Sequence, residues 1–345
     1  MNRRKKPTML FVVVFAAIVV LTIVLHYQSA HVQELNGPRA GVYTLSTRGD
    51  RLIAISRDND IYRWNWKSLT AMPEISRVDG HKVAALASGR IMWVVSGEKD
   101  LLLVGESKDE KVEKKLPLDG LKKCRFLQSG GNGKYAALAI ESKGSIGETI
   151  ELAVTDCNLA AIRRAATKIL RDKLKVSNVA VSNDGTLAAC VGARESGWIM
   201  LASASERRIL WEQRVEDCNE LDKVVFSPNG KLLYASEPGR EVYVFDSASG
   251  KLLKRMEIGK CDTPPNNPQV ISSLALSPDG RFVAAATEPA SDVWVWNSRT
   301  GAKVTVITGE SNTVSGLAFS PDSSLLATGV LASSTINVWK VPQAD

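Results

Sequence analysis

Residues 224–230 read Val-Val-Phe-Ser-Pro-Asn-Gly, and near-copies of this stretch recur along the chain. The clearest copies begin at Leu274 (Leu-Ala-Leu-Ser-Pro-Asp-Gly) and at Leu317 (Leu-Ala-Phe-Ser-Pro-Asp-Ser), and a weaker one begins at Val179. Each copy is a short apolar strand followed by a turn, because Pro fixes φ at about −65°, Asp or Asn bonds its own backbone, and Gly accepts a positive φ. The repeat therefore predicts a β-hairpin in every unit.

The repeat has the length of a propeller blade. Its turns lie near positions 49, 89, 133, 185, 230, 280 and 323, which are 40 to 52 residues apart. A third strand with period-two patterning follows in the clearest units, and a fourth strand is expected at 252–258 and 303–308. The third unit is the least regular, with an extended loop expected from Glu141 to Glu148. Seven units of four strands predict an all-β fold, a seven-bladed β-propeller.

The last unit needs a strand from the start of the chain to be complete. Only six residues follow Trp339, whereas residues 31–36 (His-Val-Gln-Glu-Leu-Asn) align with residues 303–308. A ring must pair its edges or leave strands exposed. We therefore expect the propeller to occupy residues 28–345 and to be closed by an N-terminal strand at about 31–36.

The N-terminal segment predicts a membrane anchor. Residues 8–27 carry no ionised side chain and are long enough to cross a hydrocarbon layer of about 30 Å. A cleaved signal peptide is the alternative. Because residues 1–7 include Arg3, Arg4, Lys5 and Lys6, we expect a cytoplasmic N-terminus, a single transmembrane signal-anchor helix at 8–27, and an extracytoplasmic propeller. A bacterial inner membrane and periplasm fit this arrangement best.

The overall charge does not indicate nucleic acid as a partner. The formal net charge is +7, and four of these charges come from the basic residues of the segment 1–7. The remaining charge of about +3 is too small to argue for DNA or RNA binding.

Several residues resemble the motifs of WD-repeat propellers. In that family a Gly-His pair, an Asp before the third strand and a Trp that ends this strand form a hydrogen-bonded set. The sequence has one Gly80-His81 pair, Trp at positions 64, 296 and 339, and Asp58 six residues before Trp64. The resemblance implies structural roles for His81, Trp64, Trp296 and Trp339. Residues 226–259 are also similar to lactonase-like repeats, and residues 246–251 to quinoprotein repeats.

Charged loop residues mark the candidate partner-binding face. The loops between second and third strands and the connections between blades lie at one end of the ring, which makes this end the expected binding surface. For any single charged residue there, simple exposure to solvent is the more common explanation. The candidates are Arg57, Asp58, Arg194, Glu195, Glu237, Arg240, Asp262, Glu288 and Asp292. The long connection 260–268 contains three prolines, which would stiffen it to present a fixed shape to a partner. The alternative is that this connection is a variable insertion.

The five cysteines lack the short spacings of a metal site, and because their number is odd at least one of them is unpaired within the chain. In an oxidising compartment a disulfide between Cys218 and Cys261, expected on the same face, is one interpretation. Buried thiols are the expectation for Cys124 and Cys190.

The sequence favours an interaction platform over an enzyme. Only three histidines are present, His26, His31 and His81, and none is placed to act as a channel-facing base or metal ligand. We expect a membrane-tethered, non-catalytic scaffold for a protein partner, with no cofactor. The alternative is a lactonase-like, hydrolase or quinoprotein-like propeller enzyme that uses acidic residues at the channel mouth and a bound cofactor.

Overall fold

The fold is an all-β, seven-bladed propeller, as the repeat predicts. The computed structural model describes residues 30–70, 72–80, 82–87, 90–95, 101–106, 111–117, 123–144, 147–160, 162–169, 174–239, 241–259, 270–310 and 312–342. Within these residues the strands form seven four-stranded antiparallel sheets. The strands of each sheet follow one another in sequence, except in the last, whose order is β1-β28-β27-β26.

The first four blades are formed by strands β2 to β17. Their bounds are β2 Val42–Arg48, β3 Arg51–Ser56, β4 Asp60–Asn65, β5 Glu74–Arg77, β6 Lys82–Ala85, β7 Ile91–Val95, β8 Leu101–Glu106, β9 Lys111–Pro117, β10 Lys123–Ser129, β11 Tyr135–Gly144, β12 Gly147–Asp156, β13 Ile162–Ile169, β14 Lys175–Val181, β15 Leu187–Arg194, β16 Ser196–Ser203 and β17 Arg208–Val215.

The last three blades are formed by β18 to β28 together with β1. Their bounds are β18 Lys223–Phe226, β19 Leu232–Ser236, β20 Glu241–Asp246, β21 Leu252–Glu257, β22 Val270–Leu276, β23 Phe282–Glu288, β24 Val293–Asn297, β25 Lys303–Ile307, β26 Val314–Phe319, β27 Leu325–Val330, β28 Thr335–Lys340 and β1 His31–Asn36. Strand β1 pairs antiparallel with β28, with Leu35 opposite Ile336. The beginning and the end of the ring therefore share one blade.

The predicted turns form through the chemistry of their residues. Gly185, Gly230 and Gly280 have positive φ values of 71°, 71° and 74°. In the seventh blade a serine takes this position, and Ser323 has φ of 63°. In the same turn Ser320 donates to Asp322 over 2.5 Å and accepts from the backbone N–H of Leu325 over 2.9 Å. The bond from Ser320 and the bonds from Ser324 hold the pKa of Asp322 below its ordinary value.

The core lies between the blades. Buried apolar side chains of the described residues form seven clusters, each joining two adjacent sheets. One cluster joins Leu35 and Val338 of the last blade to Leu52 and Trp64 of the first. Burial of apolar area is the main favourable term in folding, so this cluster stabilises the closure of the ring.

The structure overturns one sequence expectation and leaves another untested. The extended loop expected from Glu141 to Glu148 is wrong, because β11 and β12 continue as a long hairpin that pairs Gly144 with Gly147. Of the described residues, none belongs to a helix long and apolar enough to cross a bilayer. The anchor predicted at 8–27 lies outside the described residues.

Candidate functional site

The candidate site is the end of the ring at which the innermost strands begin. The innermost strand of each blade is the first in sequence, and neighbouring blades contact each other through these strands, for example β10 with β14 and β22 with β26. We call this end the upper face, which consists of the loops between second and third strands and the connections between blades. The hairpin turns lie on the opposite, lower face.

The predicted partner-binding residues lie around the upper face without meeting at one point. Arg57, Asp58 and Glu195 are exposed, and Glu237, Glu288 and Asp292 are half-buried. Three of the carboxylates pair locally: Arg214 lies 3.2 Å from Glu195, Thr313 donates to Glu288 over 3.2 Å, and Tyr243 donates to Glu237 over 3.4 Å. The side chain of Arg194 and the residues Arg240 and Asp262 lie outside the described residues.

The described acidic residues are not grouped as metal ligands. No group of three or more His, Cys, Asp or Glu side chains comes together in the described part of the chain. Burial raises the pKa of Asp292, but no second carboxylate is among the causes of this shift. The described acidic groups therefore stay spread around the rim, whereas a catalytic centre needs convergent groups.

A cavity of about 400 Å³ opens at the upper end of the central channel. Among the described residues its wall includes Lys82 and Lys223 but no Asp or Glu. Its polar side chains also include Tyr43, Ser177 and Asn178. The described wall therefore carries cationic but no anionic side chains, and it is rich in hydrogen-bonding groups.

β-bulges build part of this wall. Near the upper end of five innermost strands the register with the second strand skips one residue. The skipped residues are Tyr43, Arg125, Ser177, Ser272 and Ser315. A bulge re-aims a side chain, and four of these five residues line the cavity. Sequence periodicity does not reveal such bulges, because each lies at the second or third residue of its strand, where too few residues precede it to show a shift in the alternation.

The bulge serines are hydrogen-bond donors to neighbouring elements. Ser272 donates to the carbonyl of Val314 over 2.7 Å, and Ser315 donates to the carbonyl of Val42 over 2.5 Å. Ser177 donates to Glu220 over 2.5 Å. Since each hydroxyl hydrogen is already used, the serine oxygens offer the cavity their remaining acceptor positions.

Lysine begins the innermost strand in four consecutive blades. These residues are Lys82, Lys123, Lys175 and Lys223, at the starts of β6, β10, β14 and β18. The other three innermost strands begin with valine. Lys175 pairs with Glu220 over 2.8 Å, and Lys223 pairs with Asp222. No described carboxylate forms an ion pair with Lys82 or Lys123.

The lower end of the channel holds a buried arginine. Arg48 is only 8% exposed and donates to Ala85 O over 2.9 Å, Ser129 Oγ over 2.6 Å and Gly131 O over 3.1 Å, so it joins the first three blades. Burial lowers its pKa to about 10. The adjoining cavity of about 390 Å³ also has no Asp or Glu among the described residues that line it.

The seventh blade contains a buried polar set around Trp339. Trp339 donates from Nε1 to Thr328 Oγ1 over 2.9 Å, Thr328 donates to Glu310, and Asn337 donates to Glu310 over 2.8 Å. His31 of β1 lies 3.2 Å from Asn337 and edge-on to Trp339. Burial raises the pKa of Glu310, although these hydrogen bonds oppose the shift.

Sequence reasoning found Trp339 but missed Glu310 and Thr328. The available signal was Gly309-Glu310, which precedes β26 in the way that Gly80-His81 precedes β6. Trp64 and Trp296 are buried in their third strands and stack against Tyr62 and Trp294. His81 lies outside the described residues, so its structural role stays a prediction.

The predicted disulfide also stays a prediction, because Cys261 lies outside the described residues. Cys218 is buried, and its thiol donates to the carbonyl of Glu220 over 3.1 Å. Burial and the nearby Glu237 carboxylate raise the pKa of this thiol to about 12. Cys124 and Cys190 are buried within β10 and β15.

Comparison with known proteins points to WD-repeat propellers. A family model described as "WD domain, G-beta repeat" matches residues 301–340, which include Glu310, Thr328 and Trp339. The chain is 30% identical to WD repeat-containing protein 90 of Mus musculus over 184 residues, and 30% identical to that of Homo sapiens over 186 residues. Each match covers 50% of this chain, but only 9% and 10% of these relatives.

A solved structure shares the fold. The β-propeller domain of Myceliophteria thermophila Cps50 (Swd1) superposes with a TM-score of 0.67 at 16% identity, covering 90% of this chain and 99% of that domain. The chain is therefore a seven-bladed β-propeller that carries a WD40 repeat in its closing region and is similar to WD-repeat proteins.

Proposed function

We propose that the chain is a membrane-tethered, non-catalytic platform that binds a protein partner through its upper face. The observation that carries this proposal is the upper cavity, whose described wall combines lysines, hydroxyls and an amide with no carboxylate. Such a wall can bind a ligand by charge and hydrogen bonds. Among the described residues this wall has none of the acidic groups that the alternative, a propeller enzyme with acidic channel-mouth residues, requires.

The closed ring suits this role. Its seven buried clusters hold the blades together, and loops on a rigid scaffold can present a surface of fixed shape. WD40 propellers commonly serve as protein-interaction scaffolds, which supports the same interpretation.

The membrane tether rests on the sequence. Residues 8–27 carry no ionised side chain, and β1 begins at His31, only a few residues later. Such a short connection would hold the ring close to the bilayer. The basic residues of the segment 1–7 favour an extracytoplasmic propeller.

Affinity purification from native membranes after chemical crosslinking tests the platform. We expect one or a few proteins to be enriched specifically with the full chain, and recovery of none would count against the proposal. A reporter fused after Asp345 tests the topology separately. Activity of a reporter that works only in the cytoplasm would refute the extracytoplasmic placement and leave the platform untouched.

A further inference from the structure

We propose that the lower ends of blades one and seven rest on the lipid bilayer, with Val32, Met72 and Ile75 as the side chains that enter its headgroup region. This inference rests on the proposed function, because it adds a second membrane contact to the proposed anchor at 8–27 and assigns the face of the ring that makes it. The upper face would then point away from the bilayer and stay open to a partner.

The direction of β1 decides which face lies nearest to the proposed anchor. His31, the first residue of β1, pairs with Trp339, the last but one of β28. Just beyond Trp339, the backbone N–H of Val341 bonds to the carbonyl of Ser324 in a lower-face turn over 2.9 Å. β1 therefore begins at the lower end of blade seven, and the chain enters the ring there.

The connection between the proposed anchor and the ring is short. Residues 28–30 separate the segment 8–27 from β1, and Ala30 already packs against a core cluster of the last two blades. An extended chain spans at most about 3.6 Å per residue, so this connection reaches only about 10–15 Å. The proposed anchor would thus hold the lower end of blade seven, and blade one beside it, at the bilayer surface.

Exposed large apolar side chains are concentrated at the lower end of the ring. The five described residues of this kind are Val32 (51% exposed), Tyr43 (58%), Met72 (83%), Ile75 (57%) and Leu253 (47%). Only Tyr43 among these five lies at the upper end, and the other four lie near the lower ends of outer strands or in a lower-face loop. Three of these four belong to the two blades beside the proposed anchor. Exposed apolar patches of this kind mark contacts with proteins or membranes.

Met72 projects from a loop that is fixed to the ring. Trp66 and Leu69, which precede it in the loop after β4, are buried in the cluster that joins blades one and seven. Trp66 also donates from Nε1 to Thr47 Oγ1 over 3.2 Å. A buried support therefore presents the exposed Met72 at the lower end of the ring.

The charges near these side chains favour an apolar contact over an electrostatic one. Arg51 pairs with Glu74 over 3.4 Å. An interfacial surface without excess positive charge gains its affinity mainly from apolar area, so anionic lipid should not be required. Among the described residues that are not buried, the lower ends of blades one and seven carry the cations Arg51, Lys67 and Lys340 and the carboxylates Asp50, Glu74 and Asp322.

Lipid quenching of a fluorescent amino acid tests the inference, with the full chain reconstituted in phosphatidylcholine vesicles. The probe replaces either Ser68, exposed in the loop of Met72, or Ala332, exposed in the upper loop before β28. We expect lipids with a nitroxide on the headgroup to quench the probe at position 68 at least about threefold more than the probe at position 332. The reason is that β28, with six residues of about 3.3 Å each, separates the two faces by about 20 Å. Replacing part of the phosphatidylcholine by phosphatidylglycerol should change neither value.

Met72→Asp should lower the quenching at position 68 at least about twofold, because a carboxylate is costly among apolar groups at the bilayer boundary. Met72→Leu keeps an apolar side chain and should retain the wild-type quenching. Tyr43→Asp is the matched control, since it makes the same kind of change at the upper end, and it should leave the quenching unchanged. The unfolding midpoint of each variant shows whether it has folded. Unchanged quenching in Met72→Asp, or equal losses in Met72→Asp and Tyr43→Asp, would overturn the inference.

Flotation of the vesicles separates this inference from the proposed function. If the full chain floats with the vesicles but the two probes are quenched equally, or if quenching at position 68 requires anionic lipid, the inference is wrong and the tether stands. If the chain does not float, the tether is wrong and the inference is refuted with it. If flotation and quenching are as expected but no partner is captured from native membranes, the platform is wrong and the membrane contact stands.

Discussion

Replacement of Thr328 by valine should destabilise the closing blade. Thr328 is fully buried on β27, where its hydroxyl accepts from Trp339 over 2.9 Å and donates to Glu310. Thr328→Val keeps the shape of the side chain and removes both hydrogen bonds. Trp339 is only 1% exposed, so water cannot readily replace the lost acceptor.

The expected loss follows from these two bonds. A buried hydrogen bond between neutral groups contributes about 1 kcal/mol, and one to a charged group about 1.5–3 kcal/mol. We therefore expect Thr328→Val to lower the free energy of unfolding by about 2–4 kcal/mol. Thr328→Ser keeps the hydroxyl and removes one methyl group, which should cost only about 1 kcal/mol.

Equilibrium unfolding in urea, followed by tryptophan fluorescence, measures these differences. Thr305→Val on the partly exposed outer strand β25 is the control, and it should change the free energy of unfolding by less than about 0.5 kcal/mol. If Thr328→Val is no more destabilising than Thr328→Ser, the polar set does not stabilise the closing blade.

Three further changes test other parts of the structure. The raised pKa of Glu310 means that the folded chain holds this proton more tightly than the unfolded chain, so stability is lost as pH rises from the ordinary value of 4.5 through the folded pKa. Glu310→Gln should make the free energy of unfolding less dependent on pH in this range. An unchanged pH dependence would contradict the role given to Glu310. Removal of residues 1–30 should leave the ring folded, whereas removal of 1–37 deletes β1 and should lower the melting temperature; equal melting temperatures would refute closure by β1. Arg48→Met should lower the free energy of unfolding by about 1–3 kcal/mol through lost bonds to three blades. A variant as stable as the wild type would show that the cost of burying the charge cancels those bonds.

The fold could be predicted because its turns have a local chemical cause. Ser, Pro, Asp or Asn, and Gly specify a hairpin wherever they occur together, and the sequence repeats them at blade-length intervals. Gly133, Gly185 and Gly230 adopt the positive φ that this interpretation requires. The connection between β11 and β12 has no such turn sequence, and the loop expected there is a hairpin that pairs Gly144 with Gly147.

The candidate site was harder to predict because its parts come from distant segments. Loop charges such as Glu195 and Glu288 could be identified as upper-face residues, but their partners could not. The lysine series lies in the sequence at the starts of strands, yet its meaning depends on knowing where each innermost strand begins. Thr328 and Glu310 meet only because β27 and the connection before β26 pack together, and no local pattern predicts that contact.

A comparison of photocrosslinking from the two faces tests the central claim most directly. Tyr43 lies at the upper opening, and Met72, which is 83% exposed, lies in a loop of the lower face. Each is replaced in turn by a photoreactive amino acid, and the crosslinked proteins from native membranes are identified by mass spectrometry. The account predicts a specific protein adduct from position 43 and none of that protein from position 72. The same adducts from both positions, or a specific adduct from position 72 alone, would contradict it.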